Sequence, residues 1–349
     1  MKLSVGPAPP LVRGFRFSGV HAGLKSRPRR DFALIVADRP AVCAAAFTRN
    51  RAAAAPVLVA REHAKSGEIQ AIMVNSGSAN AGTGEKGRKF AEWSCRELGA
   101  RLSIDPSLVL PCSTGIIGVE LDRVPFARAV SLGVDALSRK GFTAAARAIM
   151  TSDAFPKWAH RTVALNGAEI HVAGIAKGAG MICPNMATML SFVLTDARLG
   201  KNAVRAILDT ALTATFNRIS VDGDTSTNDT LVLLASGESG TPVIEAPGDP
   251  GYDAVAEAVR KVMDELSRMI VRDGEGAKHV VDIVVQGATD DGAAERIARS
   301  IAGSVLFRCA VAGADPNWGR ILSAIGNSNV PVDPSALGFD MGDVALVRG

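Results

Sequence analysis

The 349-residue chain is poor in aromatic residues, which make up 5% with a single Tyr. Proteins that grip single-stranded nucleic acid stack bases on such rings, so that class of partner is disfavoured. Cysteine is scarce as well. The five, Cys43, Cys95, Cys112, Cys183 and Cys309, are scattered and form no C-x-x-C pair. That excludes a disulfide scaffold and a thiolate zinc site. No apolar stretch approaches the roughly 20 residues needed to span a bilayer, and residues 1–10 lack the long apolar segment of a signal peptide. A cytoplasmic protein with no membrane partner is expected. Charge of one sign is also lacking: 39 Lys and Arg against 35 Asp and Glu leave +4, too small and too dispersed a surplus to imply a polyanionic partner such as nucleic acid. The one basic run, from Lys25 to Arg30, reads as a solvated loop.

What is present is ordinary globular material, 47% hydrophobic and 21% charged, together with 35 glycines. The core is therefore expected to be built from Ala, Val, Ile and Leu, with many points where the backbone turns sharply or passes close to something. Short apolar runs bounded by turn residues predict strands at residues 33–37, 71–74, 190–194, 231–235 and 280–285. Spacings of three and four predict helices. One carries Val255, Val259, Val262, Met263, Leu266 and Met269 on a single stripe, and another spans residues 202–218. The alternation reads as α/β, with sheets covered by helices. A Gly- and Pro-rich stretch over residues 236–251 suggests a main domain over 1–240 and a smaller one over 241–349.

One segment resists a bland explanation. From Gly174 to Thr188 a glycine-rich approach carrying Lys177 runs through Pro184, Asn185, Met186 and Ala187 into a strand. Taken alone it is a loop feeding a buried strand, with Thr188 serving β propensity. It is not a phosphate-binding loop, because Lys177 is followed by Gly where a P-loop has Ser or Thr. The chemical alternative makes Thr188 an N-terminal nucleophile. A threonine hydroxyl is weak by itself, and a free α-amine on the same residue, titrating near ~8, can activate it. Such an amine requires cleavage before Thr188. The same hydroxyl could achieve that by attacking the Ala187 carbonyl.

The run from Lys177 to Leu190 closely resembles the autoproteolytic signature of the ornithine acetyltransferase (glutamate N-acetyltransferase) family of arginine biosynthesis. Matches in the same order include Val74-Asn75-Ser76-Gly77-Ser78-Ala79-Asn80, Pro111-Cys112-Ser113-Thr114-Gly115, Met150-Thr151-Ser152-Asp153, the stretch from Ser220 to Thr230, Asp273-Gly274-Glu275-Gly276 and Asp315-Pro316-Asn317-Trp318. They cover nearly the whole chain. The resemblance implies a layered αββα sandwich of the N-terminal-nucleophile kind with a second, smaller α/β domain. It implies Thr188 as nucleophile, the Ala187–Thr188 bond as scissile, and fragments of 1–187 and 188–349. It further implies Thr114 and Gly115 as the oxyanion hole, and substrate binding by Thr151, Lys177, Thr188 and Glu275. Lys177 would meet a substrate carboxylate and Glu275 a substrate amino group. The Thr151 assignment is offset, since the family more often has Thr where this chain has Ser152.

The implied activity is ping-pong transfer of an acetyl group from N2-acetyl-L-ornithine to L-glutamate, with acetyl-CoA a further acetyl donor in some members. No metal or organic cofactor is implied, and the implied assembly is a heterotetramer of two copies of each fragment. Turn formation and buried hydrogen bonding account for Asn75, Asn80, Asp222, Asp224, Asp315 and Asn317 as well as catalysis does. The family continues several dozen residues beyond the position of Gly349, and its final Asn and Thr or Ser, which help close the substrate site, have no counterpart in this sequence. Two other readings stay open: a hydrolase of the aminopeptidase type, in which water replaces glutamate, and an uncleaved, idle homologue acting as a binding protein.

Overall fold

The computed structural model describes residues 6–183 and 189–348. Ala187 and Thr188 lie outside the described residues. Two compact units are present, Met1–Glu275 and Gly276–Gly349.

The first unit is built on one eight-stranded sheet. Its strands are β1 (Phe15–Val20), β2 (Phe32–Phe47), β3 (Glu68–Asn75), β4 (Val109–Ser113), β5 (Lys157–Leu165), β6 (Ala168–Lys177), β7 (Leu190–Thr195) and β8 (Thr230–Ala235). They run in the order β4-β3-β2-β8-β7-β6-β5, with β1 added to β2. The helices are α1 (Ala55–His63), α2 (Gly84–Leu102), α3 (Arg123–Asp135), α4 (Phe142–Ala148), α5 (Lys201–Ala214) and α6 (Tyr252–Arg272).

The long β2 belongs to both halves of the sheet. Its first half, Phe32 to Val36, pairs with β1 and β3, and its second half, Val42 to Phe47, pairs with β8. The register breaks between Val36 and Ala41, where Asp38, Arg39 and Pro40 are exposed. Side chains alternate across a strand, and the alternation sorts the core. Ile35, Ile72, Phe192 and Leu234, from both halves, share one cluster, so the halves face each other across it. The opposite faces carry two further clusters, one with residues of α5 and α6 and one with residues of α2 and α3. The result is helix, sheet, sheet, helix. The expected sheet layers are therefore present, formed by one continuous hydrogen-bonded path.

The expected strands at 33–37, 71–74, 190–194 and 231–235 lie within β2, β3, β7 and β8. Of the expected stripe, Val255, Val259, Val262, Met263 and Leu266 are fully buried on α6, while Met269 is half-buried. The helix expected over 202–218 stops at Ala214, because Thr215 leaves the helical region (φ −128°, ψ −92°) before a 3₁₀ turn at Phe216–Arg218.

Two expectations are corrected. The Gly- and Pro-rich stretch over 236–251 does not separate domains. Ser236 Oγ donates to the Arg13 carbonyl at 2.7 Å and Gly200 N–H to the Ile244 carbonyl at 2.8 Å, and α6 beyond it packs on β5 and β6. The unit consequently runs on to Glu275. The run at 280–285 is not a strand either. A strand needs a neighbouring backbone to complete its ladder, and none pairs with it among the described residues; Val284 is left 76% exposed.

The second unit holds α7 (Asp291–Gly303), α8 (Val305–Ala312), α9 (Trp318–Gly326) and the hairpin β9 (Phe339–Met341) with β10 (Val344–Val347). Ile297, Ile301, Phe307, Ile325 and Phe339 form its small core. No helix among the described residues is long and apolar enough to cross a membrane.

Candidate active site

Segments at one end of the strands enclose a pocket of about 770 Å³. Lys177 ends β6, Leu190 opens β7, and the two are paired across the ladder, so the chain leaves the sheet and returns to it beside the pocket. Parallel β3 and β4 deliver the loops that begin at Ser76 and Thr114. The approach to β8 brings Asn228 and Asp229, and the end of α6 brings Glu275. Thr114, Gly115, Thr151, Lys177 and Glu275, separated widely in sequence, all line this one cavity. Met189, the first described residue after Thr188, lines it too.

Thr114 and Gly115 are held by their neighbours. Thr114 N–H donates to the Asn75 carbonyl at 2.9 Å, and Ser113 Oγ to Asn75 Oδ1 at 2.6 Å. Asn228 Nδ2 donates to the Ala79 and Ser113 carbonyls at 2.6 and 2.9 Å, tying both loops to β8. Gly115 adopts φ +127°, and a Cβ there would lie 2.5 Å from the Gly77 carbonyl oxygen. Only glycine fits this turn. The Gly115 N–H has no backbone partner among the described residues and borders the cavity.

Side chains of both charges line the same pocket. Lys177 Nζ donates to Thr114 Oγ1 at 3.2 Å; desolvation lowers its pKa, opposed chiefly by the negative charge of Asp153. Glu275 N–H is bonded to the Ala179 carbonyl at 2.8 Å, and its carboxyl lies over Gly180, where an added Cβ would be 2.8 Å from Glu275 Cδ. The Glu275 segment is thereby tied to the loop that follows Lys177, which brings cation and carboxylate to one pocket, a pairing suited to a ligand bearing both charges.

Beneath the pocket is a buried ion triad. Lys157 Nζ donates to Asp153 Oδ1 at 2.7 Å and to Asp273 Oδ2 at 2.5 Å. Asp153 also accepts from the N–H groups of Gly178 at 2.7 Å and Thr151 at 2.9 Å, and Asp273 from that of Ala154 at 3.1 Å. Burial alone would raise the Asp153 carboxyl; the charges of Lys177 and Lys157, with hydrogen bonds from Lys157 and Gly178, outweigh it and hold the pKa at about 2. The triad joins the Thr151 loop, the Lys177 loop and the Glu275 segment.

Asp229 is a further pocket residue that the sequence does not single out. It is 2% exposed, and its Oδ2 has no hydrogen-bond partner among the described residues. Burial pushes its pKa well above the carboxylate range, only partly opposed by hydrogen bonds from Met189 N–H and Ser226 and by the charge of Lys177. Lys25, expected in a solvated run, instead lines the pocket, while its neighbours Arg27 and Arg29 are exposed.

Several motif residues have structural roles. Asn75 Nδ2 donates to the Ser78 carbonyl at 2.8 Å, and Asn80 takes a left-handed turn with φ 47°. Asp222 accepts from the N–H groups of Ile182 at 2.8 Å and Asp224 at 3.1 Å, closing a turn. In the second unit Asn317 Nδ2 donates to Asp315 Oδ2 at 3.2 Å. The thiols of Cys43 and Cys95 are pushed by burial to about 12, which leaves them unreactive.

Fold and pocket together define an α/β protein whose pocket is lined by polar groups and by side chains of both charges. Residues 16–349 match the ArgJ family model, and the chain belongs to the ArgJ family. It is 44% identical to the arginine biosynthesis bifunctional protein ArgJ of Desulfotalea psychrophila, over 97% of this chain and 86% of that one. The protein of the same name from Geobacter sulfurreducens is 43% identical over the same shares. Among solved structures, the arginine biosynthesis bifunctional protein argJ of Bacillus halodurans is 35% identical and covers 51% of this chain and 92% of its own, with a TM-score of 0.47.

Proposed function

We propose that the pocket transfers an acetyl group from N2-acetyl-L-ornithine to L-glutamate through a covalent ester on Thr188. The observation that carries this reading is the convergence of Thr114, Gly115, Lys177 and Glu275 in one cavity bordered by Met189. Membership of a family whose curated relatives are named for arginine biosynthesis supports it.

The charges orient the donor. Lys177 receives the α-carboxylate, and Glu275 receives the side-chain ammonium of ornithine. The Thr188 hydroxyl, liberated with its α-amine by cleavage after Ala187, attacks the acetyl carbonyl while the amine takes the hydroxyl proton. Charge develops on the carbonyl oxygen, where the Thr114 hydroxyl and Gly115 N–H donate; such donors contribute about 3 kcal/mol each. The C–N bond breaks, the proton passes to the leaving nitrogen, and ornithine departs. The glutamate amine then attacks the ester, returning the hydroxyl and forming N-acetylglutamate. One amide exchange is thus divided into two easier steps. The steps need a nucleophile, donors and charge complementarity, and no metal or organic cofactor is invoked. Thr151 and Ser152 border the same ligand, acetyl-CoA enters as an alternative acetyl donor, and the two fragments assemble as a heterotetramer.

Intact mass spectrometry and acetyl transfer to labelled glutamate test the reading. Two fragments divided between Ala187 and Thr188, with labelled N-acetylglutamate formed, are expected. Thr188→Ala should give one full-length mass. Free acetate without acetylglutamate would instead mark a hydrolase, and division of the Thr188→Ala chain at that bond would refute self-cleavage.

A further inference from the structure

On the reading just given, the pocket binds two amino acids in turn. Ornithine and glutamate share an α-carboxylate and the nitrogen that carries the acetyl group, but their side chains end in opposite charges. Glu275 suits the ornithine ammonium and repels the glutamate carboxylate. A second cation is needed, and among the described residues lining the pocket the cations are Lys25 and Lys177. Lys177 is already engaged with Thr114 and the α-carboxylate.

Lys25 is fixed in place. Its own N–H and that of Leu24 donate to Asp31 Oδ2 at 3.1 and 2.7 Å, and the Ala22 N–H to Asp31 Oδ1 at 2.7 Å. The Asp31 side chain is fully buried, so the loop closes around a rigid carboxylate. The Lys25 Nζ donates to the Met150 carbonyl at 2.6 Å and the Arg30 carbonyl at 3.1 Å. An ammonium has three donors, which leaves one for a ligand. Met150 directly precedes Thr151 and Ser152 of the pocket wall. Desolvation lowers the Lys25 pKa to about 8, with Asp31 and Asp153 opposing and Lys177 and Arg29 reinforcing the fall. At neutral pH it still carries most of its charge, poorly hydrated and open to a carboxylate.

We infer that Lys25 is the residue that admits the acceptor: its ammonium holds the side-chain carboxylate of glutamate, as Glu275 holds the side-chain ammonium of ornithine. The inference rests on the acetyl-transfer reading, and its test separates the two half-reactions.

In Lys25→Met, acylation by N2-acetylornithine is followed as a 42 Da gain on the Thr188-bearing fragment, and deacylation by glutamate as its loss. The KM for glutamate is expected to rise about 10- to 100-fold, the worth of a charge-assisted hydrogen bond, and by at least about tenfold more than the KM for N2-acetylornithine. The wild-type preference for glutamate over glutamine, its uncharged isostere, should collapse in the variant, and Lys25→Arg should restore it in part. Equal losses in both half-reactions, or an unaltered preference for glutamate, would overturn the assignment. Failure of the unmodified protein to take up acetyl from N2-acetylornithine would refute the acetyl-transfer reading itself, a result independent of any Lys25 variant. Should Lys25→Met not fold, the glutamate to glutamine ratio of Lys25→Arg and Lys25→Gln decides the same question.

Discussion

Replacing Lys157 with Met would leave two carboxylates, Asp153 and Asp273, buried without their cation. All three side chains are nearly inaccessible, at 0%, 0% and 3% exposed, so water cannot substitute for the ammonium. Breaking a buried pair from one side costs about 3–5 kcal/mol. At about 2–4 °C per kcal/mol for a folding unit of this size, the melting midpoint at pH 7 should fall by roughly 6–20 °C. The pH dependence is the sharper signature. In the native protein the Asp153 pKa, at about 2, lies below its ordinary value of 3.8. Its contribution is therefore full above about pH 4 and is lost as pH falls through 2. In Lys157→Met the same carboxyl, desolvated and deprived of one cation, shifts upward and takes a proton in mild acid. The gap between the two melting midpoints should narrow as pH falls below about 5. Adding Asp153→Asn to Lys157→Met should recover part of the loss at pH 7. Calorimetric melts from pH 7 to pH 3 test this. A fall of under about 3 °C at neutral pH, or a gap that does not narrow in acid, would refute the view that the triad holds the pocket loops by buried charge.

Gly115→Ala forces a side chain into a φ of +127° and within 2.5 Å of the Gly77 oxygen; the displaced N–H should lower kcat for acetyl transfer by about 10²–10³, and a kcat within threefold of the original would exclude the oxyanion role. For Asp229, whose pKa is raised, the stability contribution is full below the ordinary carboxylate pKa and is lost as pH rises through the native one. Asp229→Asn should therefore melt above the unaltered protein at pH 7 and converge with it below about pH 4. A lower melting midpoint at pH 7 would contradict the cost assigned to that buried carboxyl.

Local patterns were enough for much of the framework. Strands β2, β3, β7 and β8 are legible because their apolar runs are bounded by turn residues, and α6 because its stripe matches the helical period. The run at 280–285 has the same local pattern and no strand, since a ladder requires a partner that local sequence does not specify. The boundary expected near Gly240 fails for a related reason. Glycine and proline mark a turn equally well inside a domain and between domains, and only the packing of α6 on β5 and β6 decides. That Thr114, Gly115, Thr151, Lys177 and Glu275 would line one pocket was legible through the motifs that carry the family resemblance. Lys25 and Lys157 were not: a lysine in a basic run and a lysine after a proline look solvated until the fold surrounds them. The one usable hint for the triad was the i,i+4 spacing of Asp153 and Lys157, which is uninformative without knowing that both are buried.

The strand order bears on what a break after Ala187 would leave behind. β7 and β8 belong to the later fragment, yet they lie between β2 and β6 of the earlier one. Their ladders on both sides, Val42 to Phe47 with β8 and Val172 to Lys177 with β7, would outlast the cut. The two polypeptides would remain interleaved, and neither could leave without opening a sheet edge on each flank. Folding must then precede scission, and each fragment synthesised alone would expose unpaired strands of the kind that aggregate. A severed backbone would be a maturation step within a finished fold, and the pair of chains would behave as one molecule until denatured.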